Sequence, residues 1–474
     1  MDTIGNKIKQ VFPKATIMKS TDRDSIFAGR NLPSFVKDFI LRKHIQEDGT
    51  FNKQAITEYL SKHIPDKDNP VINRLMNNEE VKLLTRFVIQ SDIKDGKVRF
   101  SIPDSGIKAN DAVIRENLLS KYKKELVDGE IWGVITLYYI RPSGKVKNGC
   151  VEMVDFMPFR PYTPDLNIVR EGRKQFTIEE WIDVLISSME YSPEGFTDTE
   201  QKLEFLTRLL VFVESNLNMI ELAPKEMGKS YIFGNLSKYG WLVSDGKITR
   251  AKLFYDKVHQ EAGIFNNHDF VAFDEIQSLS LSDQRELQSI FRAYLEQGKA
   301  SVGNYTFTST AGLMLMGNIE LTNKMLPVND KYFSELPSSF YNSGMLDRFH
   351  GFIEGWKLPK LKKDMLLNGW TLNVEYFSEL LHLLRTAPEY SLLFDNVIDF
   401  DAKTRLRDSK AIKKMATAYL KLLFPHITKA EDLNKDEFLH YCLEPAIRRR
   451  SIIREQCSKI DAEFEVEIPR IRIR

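Results

Sequence analysis

Four short stretches of the chain carry residue types whose order and spacing suit phosphate chemistry. The first, Pro224-Lys225-Glu226-Met227-Gly228-Lys229-Ser230-Tyr231, lies between an apolar run and a helix-forming run. At such a strand-to-helix turn, backbone N–H groups bind phosphate oxygens, the lysine reaches the outer phosphates, and the serine hydroxyl ligates magnesium. Gly-Lys-Ser alone is common by chance, so the weight falls on three segments farther along the chain. Phe270-Val-Ala-Phe-Asp274-Glu275 is an apolar strand ending in two acids. Asp274 suits a magnesium ion held through water, and Glu275 suits orienting and deprotonating the attacking water. Leu313-Met-Leu-Met-Gly-Asn318 is a second apolar strand with a polar end, and Asn318 there suits positioning that water. Arg348, within Asp347-Arg348-Phe349, offers a guanidinium to the phosphate of a neighbouring subunit. The expected cofactors are therefore ATP and Mg2+. Lys229, Glu275, Asn318 and Arg348 take the catalytic roles, Ser230 and Asp274 the metal, and residues 224–231 surround the phosphates.

The loop departs from its usual form at two positions. Ala223 and Glu226 stand where glycine is common, which removes tolerance of positive φ and close phosphate approach. Glu226 also places a negative charge beside a polyanion. Weaker binding and slower turnover are the expected consequence.

These groups need a scaffold that brings distant strand ends together. From residue 166 on, strand and helix patterns alternate: strands over 219–223, 241–244, 270–273 and 312–316, with helices after Gly228 and over 250–262 and 282–297. Alternation of this kind predicts a mostly parallel, three-layer α/β sheet. Thr177-Ile-Glu-Glu180 reads as a capping box opening the helix before it, and 198–215 as an amphipathic helix. Beyond 358 the pattern turns helical, over 374–386, 411–423, 435–441 and 444–459. The first part mixes a helix over 32–45, strands over 82–91, 97–102 and 131–140, and a helix over 111–125. Asp95-Gly96 suits a tight hairpin turn, and the proline-rich run 157–164 reads as a linker. The boundaries expected are an α+β domain over 1–165, an α/β core over 166–358, and a helical lid and tail over 359–474. The tail, 464–474, alternates apolar and charged residues and reads as a strand whose partner lies outside this chain.

Composition bounds the rest. A chain of 474 residues exceeds the usual limit of one core. No apolar run reaches membrane-span length, and the first ten residues lack the apolar core of a signal peptide. The 3 cysteines and 8 histidines show no metal or disulfide spacing, so a reducing cytoplasm is expected, with no membrane partner. A net charge of +1 decides nothing about nucleic acid, but its distribution leaves basic clusters. Arg42, Lys43, Lys121, Lys123 and Lys124 are candidate phosphate contacts to DNA. A hairpin over 298–310, carrying Lys299 and Tyr305, suits contact with a nucleic-acid backbone in a central pore. No base-reading motif is visible, so sequence-independent, salt-sensitive binding is expected.

With these pieces in view, the chain resembles BrxL, the Lon-related AAA+ protein of bacteriophage-exclusion (BREX) systems. The resemblance runs through residues 221–230, 246–255 and 270–275, through 171–177 with Trp181-Ile-Asp183, and through Met316-Gly-Asn-Ile319. It continues at Asp347-Arg-Phe-His350 and 355–360, and near the amino terminus at 31–36 and Ile131-Trp132. It implies an AAA+ P-loop core, double-stranded DNA as partner, a homo-oligomeric ring of one or stacked hexamers, other BREX proteins as candidate partners, and a role in antiphage defence. It also implies a second sensor on the lid, for which Arg448 is the leading candidate beside Arg449 and Arg450. Full-length relatives continue into a Lon-like protease domain, and residues 459–474 are too short to hold one, so no peptidase activity is expected. Two other readings stand: a protein-remodelling ATPase serving a separate peptidase or effector, and a DNA scaffold that binds ATP and hydrolyses it slowly.

Overall fold

The computed structural model describes residues 3–20, 25–28, 32–45, 51–64, 70–92, 97–122, 126, 129–143, 148–158, 164–244, 247–256, 261–278, 280–281, 284–468 and 471–474. They form two compact units: Met1–Asp24, Gly29–Asp38 and Tyr162–Arg474 in the larger, Ser25–Ala28 and Phe39–Pro161 in the smaller.

The larger unit is organised by a five-stranded sheet made of short apolar runs. Its strands are β1 (Asn218–Ala223), β2 (Gly240–Val243), β3 (Phe270–Phe273), β4 (Gly312–Asn318) and β5 (Gly351–Glu354). Their order across the sheet is β5-β1-β4-β3-β2, and every neighbouring pair is parallel. Every residue of β1, β3 and β5 is buried, as expected of parallel strands covered on both faces. The register aligns Ala223 with Asn318 and Phe273 with Leu315, so β1, β3 and β4 end at one edge. In open parallel sheets that carboxyl edge is where ligands bind.

Helices cover the sheet, among them α1 (Lys229–Asn235), α2 (Gln284–Gln297), α3 (Leu406–Leu423) and α4 (Glu444–Ser458). Three successive arginines lie in the first half of α4. Arg449 donates to Glu204, Thr207 Oγ1 and Tyr419 Oη, while Arg450 pairs with Asp347 and Asp408; both arginines are buried. The helical region beyond 358 is thereby held within the same compact unit as the sheet.

Met1–Asp24 and Gly29–Asp38, which the sequence assigns to an amino-terminal domain, group with the larger unit. Thr16–Lys19 pairs antiparallel with Gly369–Leu372. Phe12 packs so closely on Gly172 that a Cβ there would lie 2.3 Å from its ring. Buried Lys19 binds Asp38 at 2.7 Å and Glu190 at 2.6 Å. Tertiary pairing of this kind leaves no local trace in the sequence.

The smaller unit contains a closed barrel of five strands, in the order Val81–Asp92, Lys97–Ser101, Ala112–Ile114, Cys150–Pro158, Gly129–Ile140. Phe87, Phe100 and Phe156 fill its centre with edge-to-face contacts.

Several expected elements differ. The helix over 111–125 becomes a strand, Ala112–Ile114, and a short helix, Glu116–Lys121, because Val113 and Ile114 are drawn into the barrel. The helix over 250–262 is a single turn, Arg250–Leu253, followed by a small ribbon, Tyr255–Asp256 with Glu261–Ala262. The helix over 198–215 divides into Thr199–Leu206 and Leu210–Val213. The tail strand, Ile471–Ile473, finds its partner inside the chain, at Ile398–Phe400. Met157 and Pro158 close a barrel strand, and the rest of the expected linker up to 163, like the Asp95-Gly96 turn, lies outside the described residues.

Lys19→Met removes a buried cation that pairs with buried Asp38 and half-buried Glu190. Removing one member of such a cluster costs about 3–5 kcal/mol. The variant is expected to unfold at clearly lower denaturant, and an unchanged midpoint would refute the structural weight given to this cluster.

Candidate nucleotide site

The phosphate loop leaves β1 at Ala223 and returns at Gly228, which caps α1 in the left-handed conformation, φ 70°. Glu226 also lies in that region, at φ 67°, where a non-glycine residue is held at a cost of about 1–2 kcal/mol. Its carbonyl accepts from Leu361 N at 3.1 Å. Pro224 is half-buried, Lys225 and Glu226 are exposed, and Met227 is buried. The alanine at 223 has a compensating partner: a Cβ on Gly355 would sit 2.2 Å from the Ala223 methyl. The small residue is thus provided by the neighbouring strand end.

The loop is held from beneath by two residues that the sequence reading does not single out. Arg208 and Glu221 form a fully buried pair, with Arg208 Nε 3.0 Å and Nη2 2.5 Å from the two carboxylate oxygens. The third donor, Nη1, reaches the Met227 carbonyl at 2.8 Å. A charged residue in the middle of an otherwise apolar strand was the available signal for Glu221, since a buried charge requires a partner.

Lys229 is buried, and its Nζ donates to Gly317 O at 3.0 Å, Ala223 O at 3.2 Å and Asn318 Oδ1 at 3.4 Å. Burial lowers its pKa from the ordinary lysine value, against the opposing pull of Glu221, Asp274 and Glu275. Ser230 Oγ donates to Asp274 Oδ2, and the other Asp274 oxygen accepts from Glu275 N at 2.9 Å. A hydroxyl and a carboxylate that converge in this way offer the hard oxygen donors that magnesium takes, alongside waters and phosphates. Glu275 is exposed and sits at φ 45°, a turn that separates its carboxylate from the buried Asp274. Gln277 fastens this loop to β4: its amide nitrogen reaches Asn318 O at 2.7 Å, and its amide oxygen accepts from Asn318 N at 3.2 Å. Nothing in the sequence singled out Gln277.

Tyr231, the residue after Ser230, turns away into a buried polar cluster. Its hydroxyl meets Glu190 and lies 2.7 Å from Ser34 Oγ, and Ser34 in turn donates to Glu190 at 2.6 Å. Burial raises the Tyr231 pKa well above its ordinary value.

The sheet edge therefore brings together residues 224–230 with Asp274, Glu275 and Asn318. Arg448 stands close by: its guanidinium reaches Glu354 at 2.7 Å, and Glu354 aligns with Leu222 of β1. Its side chain remains 43% exposed, whereas Arg449 and Arg450 are buried in ion pairs, so Arg448 is the one of the three with a solvent-facing head. Arg348 has its described contacts elsewhere, with Glu296 and the Gly344 carbonyl. Burial, with the nearby charge of Arg407, lowers its pKa from the ordinary arginine value.

Of the candidate DNA contacts, Lys299 and Tyr305 lie on a hairpin, Lys299–Val302 with Tyr305–Thr308. Lys299 is exposed, and one face of Tyr305 is covered by Tyr255, ring centroids 3.7 Å apart and 11° from parallel. In the smaller unit, Lys121 is exposed beside Tyr122. Lys43 lies over the Tyr59 ring, and burial and Lys82 lower its pKa. Arg42 ends the same helix, Ser34–Lys43, and Lys123 and Lys124 lie outside the described residues.

A parallel sheet with a lysine, a hydroxyl and paired acids at its carboxyl edge defines an α/β domain with a candidate ligand site at that edge. The family model described as "Lon-like protease BrxL-like, ATPase domain" matches residues 151–469. The one described as "BREX system Lon protease-like protein BrxL N-terminal" matches residues 10–139. The chain belongs to the BrxL family of BREX systems and carries its ATPase domain. It is 27% identical over 441 residues to the Lon-like protease BrxL of Escherichia coli O9:H4 (strain HS), covering 91% of this chain and 61% of that protein. Against the Lon-like protease BrxL of Bacillus cereus (strain H3081.97) it is 27% identical over 469 residues, covering 97% of this chain and 67% of the relative. The chain thus spans about two thirds or less of the length of these relatives. Among the described residues no helix is long and apolar enough to cross a membrane.

Arg208→Met strands Glu221 in the core and frees the Met227 carbonyl, and is expected to cost about 3–5 kcal/mol in denaturant unfolding. Adding Glu221→Leu should restore much of the stability but not nucleotide affinity, because Met227 remains unheld. If the double variant regains full affinity, Arg208 has no part in shaping the loop.

Proposed function

We propose that this chain is an AAA+ P-loop ATPase that hydrolyses ATP between adjacent copies in a ring and binds double-stranded DNA as part of BREX-type antiphage defence. The convergence of Lys229, Ser230, Asp274, Glu275 and Asn318 on one sheet edge carries the reading. In it, Lys229 leaves its carbonyl acceptors for the outer phosphates, and residues 225–230 offer backbone N–H groups around them. Ser230 and Asp274 would hold Mg2+, which supplies charge neutralisation on the phosphates when bound. Glu275 takes the proton of the attacking water, and Asn318, held by Gln277, orients it. Arg348, whose described partners lie away from its own loop, serves the site of a neighbouring copy.

DNA as partner is supported by the barrel and by the basic elements of both units. Five-stranded barrels are a recurrent oligonucleotide-binding architecture, and the smaller unit carries exposed Lys121 together with Lys43. The Lys299 hairpin adds a second basic element in the larger unit. With phosphate contacts alone, binding is independent of sequence and weakens steeply with salt. A second reading, an ATP-bound scaffold with slow turnover, is favoured by one observation: the acidic, positive-φ Glu226 in the loop.

Glu275→Gln is expected to lower ATP hydrolysis by about 10²–10⁴-fold while nucleotide binding persists. Wild-type hydrolysis should rise with duplex DNA at low salt; equal rates with and without duplex would sink the DNA-coupled reading. Glu226→Gly relieves backbone strain and removes a charge. It should raise both thermal midpoint and ATP affinity, and rapid turnover by the unmodified protein would exclude the scaffold reading.

A further inference from the structure

A second concentration of charge surrounds the turn that carries Arg348. Buried Arg450 of α4 donates to the carbonyls of Asp347 at 2.9 Å and Phe349 at 2.7 Å, so the backbone on both sides of Arg348 is fixed. In front of that turn, Glu296 of α2 pairs with two guanidinium groups, as hydrogen-bond acceptor for Arg407 and by charge and proximity for Arg348. Arg348 Nε lies 3.1 Å from its Oε2, and Arg407 places Nε at 3.0 Å and Nη2 at 2.9 Å from the same oxygen. Arg407 also reaches Asp347 Oδ2 at 2.8 Å. Exposed Lys410, one turn along α3, lines the same cleft, and exposed Arg292 lies one turn before Glu296 on α2. The local balance is four cations against Glu296 and Asp347, and Asp347 is shared with buried Arg450.

Glu296 and Asp347 hold Arg407 in place, but helix energetics do not favour a cation there. Arg407 occupies the first turn of α3, where a cation opposes the helix dipole. Its side chain is 38% exposed, so the head is accessible from solvent. Two guanidinium groups drawn together at one carboxylate, one of them with an Nε that has no hydrogen-bond partner, suit an anion with several oxygens, such as a nucleotide phosphate.

We propose that Arg407 acts with Arg348 as a second arginine presented to the nucleotide of another copy of this chain, with Glu296 holding the two guanidinium groups as a pair. The inference rests on the reading of the chain as an ATPase whose Arg348 serves a neighbouring site. Glu296 is a positioning residue here: it offsets the repulsion between the arginines and sets their spacing before a phosphate arrives.

The test is steady-state ATP hydrolysis by the full chain, comparing wild type, Lys229→Ala, Arg348→Ala, Arg407→Ala and Glu296→Gln. Arg407→Ala should lose about tenfold or more in kcat, and Arg407→Lys should recover little, because lysine lacks the fork. Glu296→Gln should lower kcat with KM for ATP changed less than about twofold. Mixing Arg407→Ala with Lys229→Ala should restore activity above the sum of the two. In a random equimolar ring about a quarter of the interfaces join an intact Lys229 to an intact Arg407. Loss of activity without recovery in the mixture would place Arg407 within its own site and overturn the proposal. A wild-type rate for Arg407→Ala, where Arg348→Ala is inactive, would overturn it and leave the ATPase reading standing. Absence of hydrolysis by the wild type would strike that reading instead. If Arg407→Ala alters particle size, Arg407→Gln carries the same comparison.

Discussion

The site depends first on one buried ion pair. Glu221 interrupts the apolar strand β1 and is fully buried, a position that an isolated carboxylate could occupy only at large desolvation cost. Arg208 neutralises it with two donors and spends the third on the Met227 carbonyl. That last contact converts a core charge pair into a support for the phosphate loop. It fixes the carbonyl just before Gly228, hence the direction in which the following N–H groups point.

Around this support, arginines recur as connectors because a planar fork can satisfy several acceptors at once. Arg449 joins α4 to Glu204, and Glu354 N donates to Glu204 at 3.2 Å, so α4 and the end of β5 share one carboxylate. Arg450 extends the same helix to the turn carrying Arg348. One helix therefore touches the strand end beside the phosphate loop and the segment carrying Arg348. A rigid element in that position would make a change at one end felt at the other.

The altered phosphate loop illustrates how far local rules reach. The Ala223 methyl is accommodated because Gly355 has no side chain opposite it. No equivalent relief exists for the φ of Glu226, since positive φ is strained for any residue with a Cβ. The sequence signalled both departures alike; the structure separates a compensated one from a strained one.

What the sequence determined by itself was the chemistry available and the order of its carriers. Apolar runs ending in Asp274-Glu275 and Asn318, and Gly-Lys-Ser at a strand-to-helix junction, were readable because strand periodicity and chain-adjacent polar ends are local properties. The parallel α/β alternation and the capping box at Thr177 and Glu180 were legible for the same reason. Tertiary structure decided what depends on contacts between distant segments. It ordered the strands so that Ala223 and Asn318 lie side by side, and it chose Arg448 over its buried neighbours as the solvent-facing arginine. It also drew Thr16–Lys19 onto Gly369–Leu372, paired the tail with Ile398–Phe400, and placed Arg407 on the carboxylate that holds Arg348. Those outcomes arise from burial and charge pairing across the fold, for which neighbouring residues in the chain hold no record.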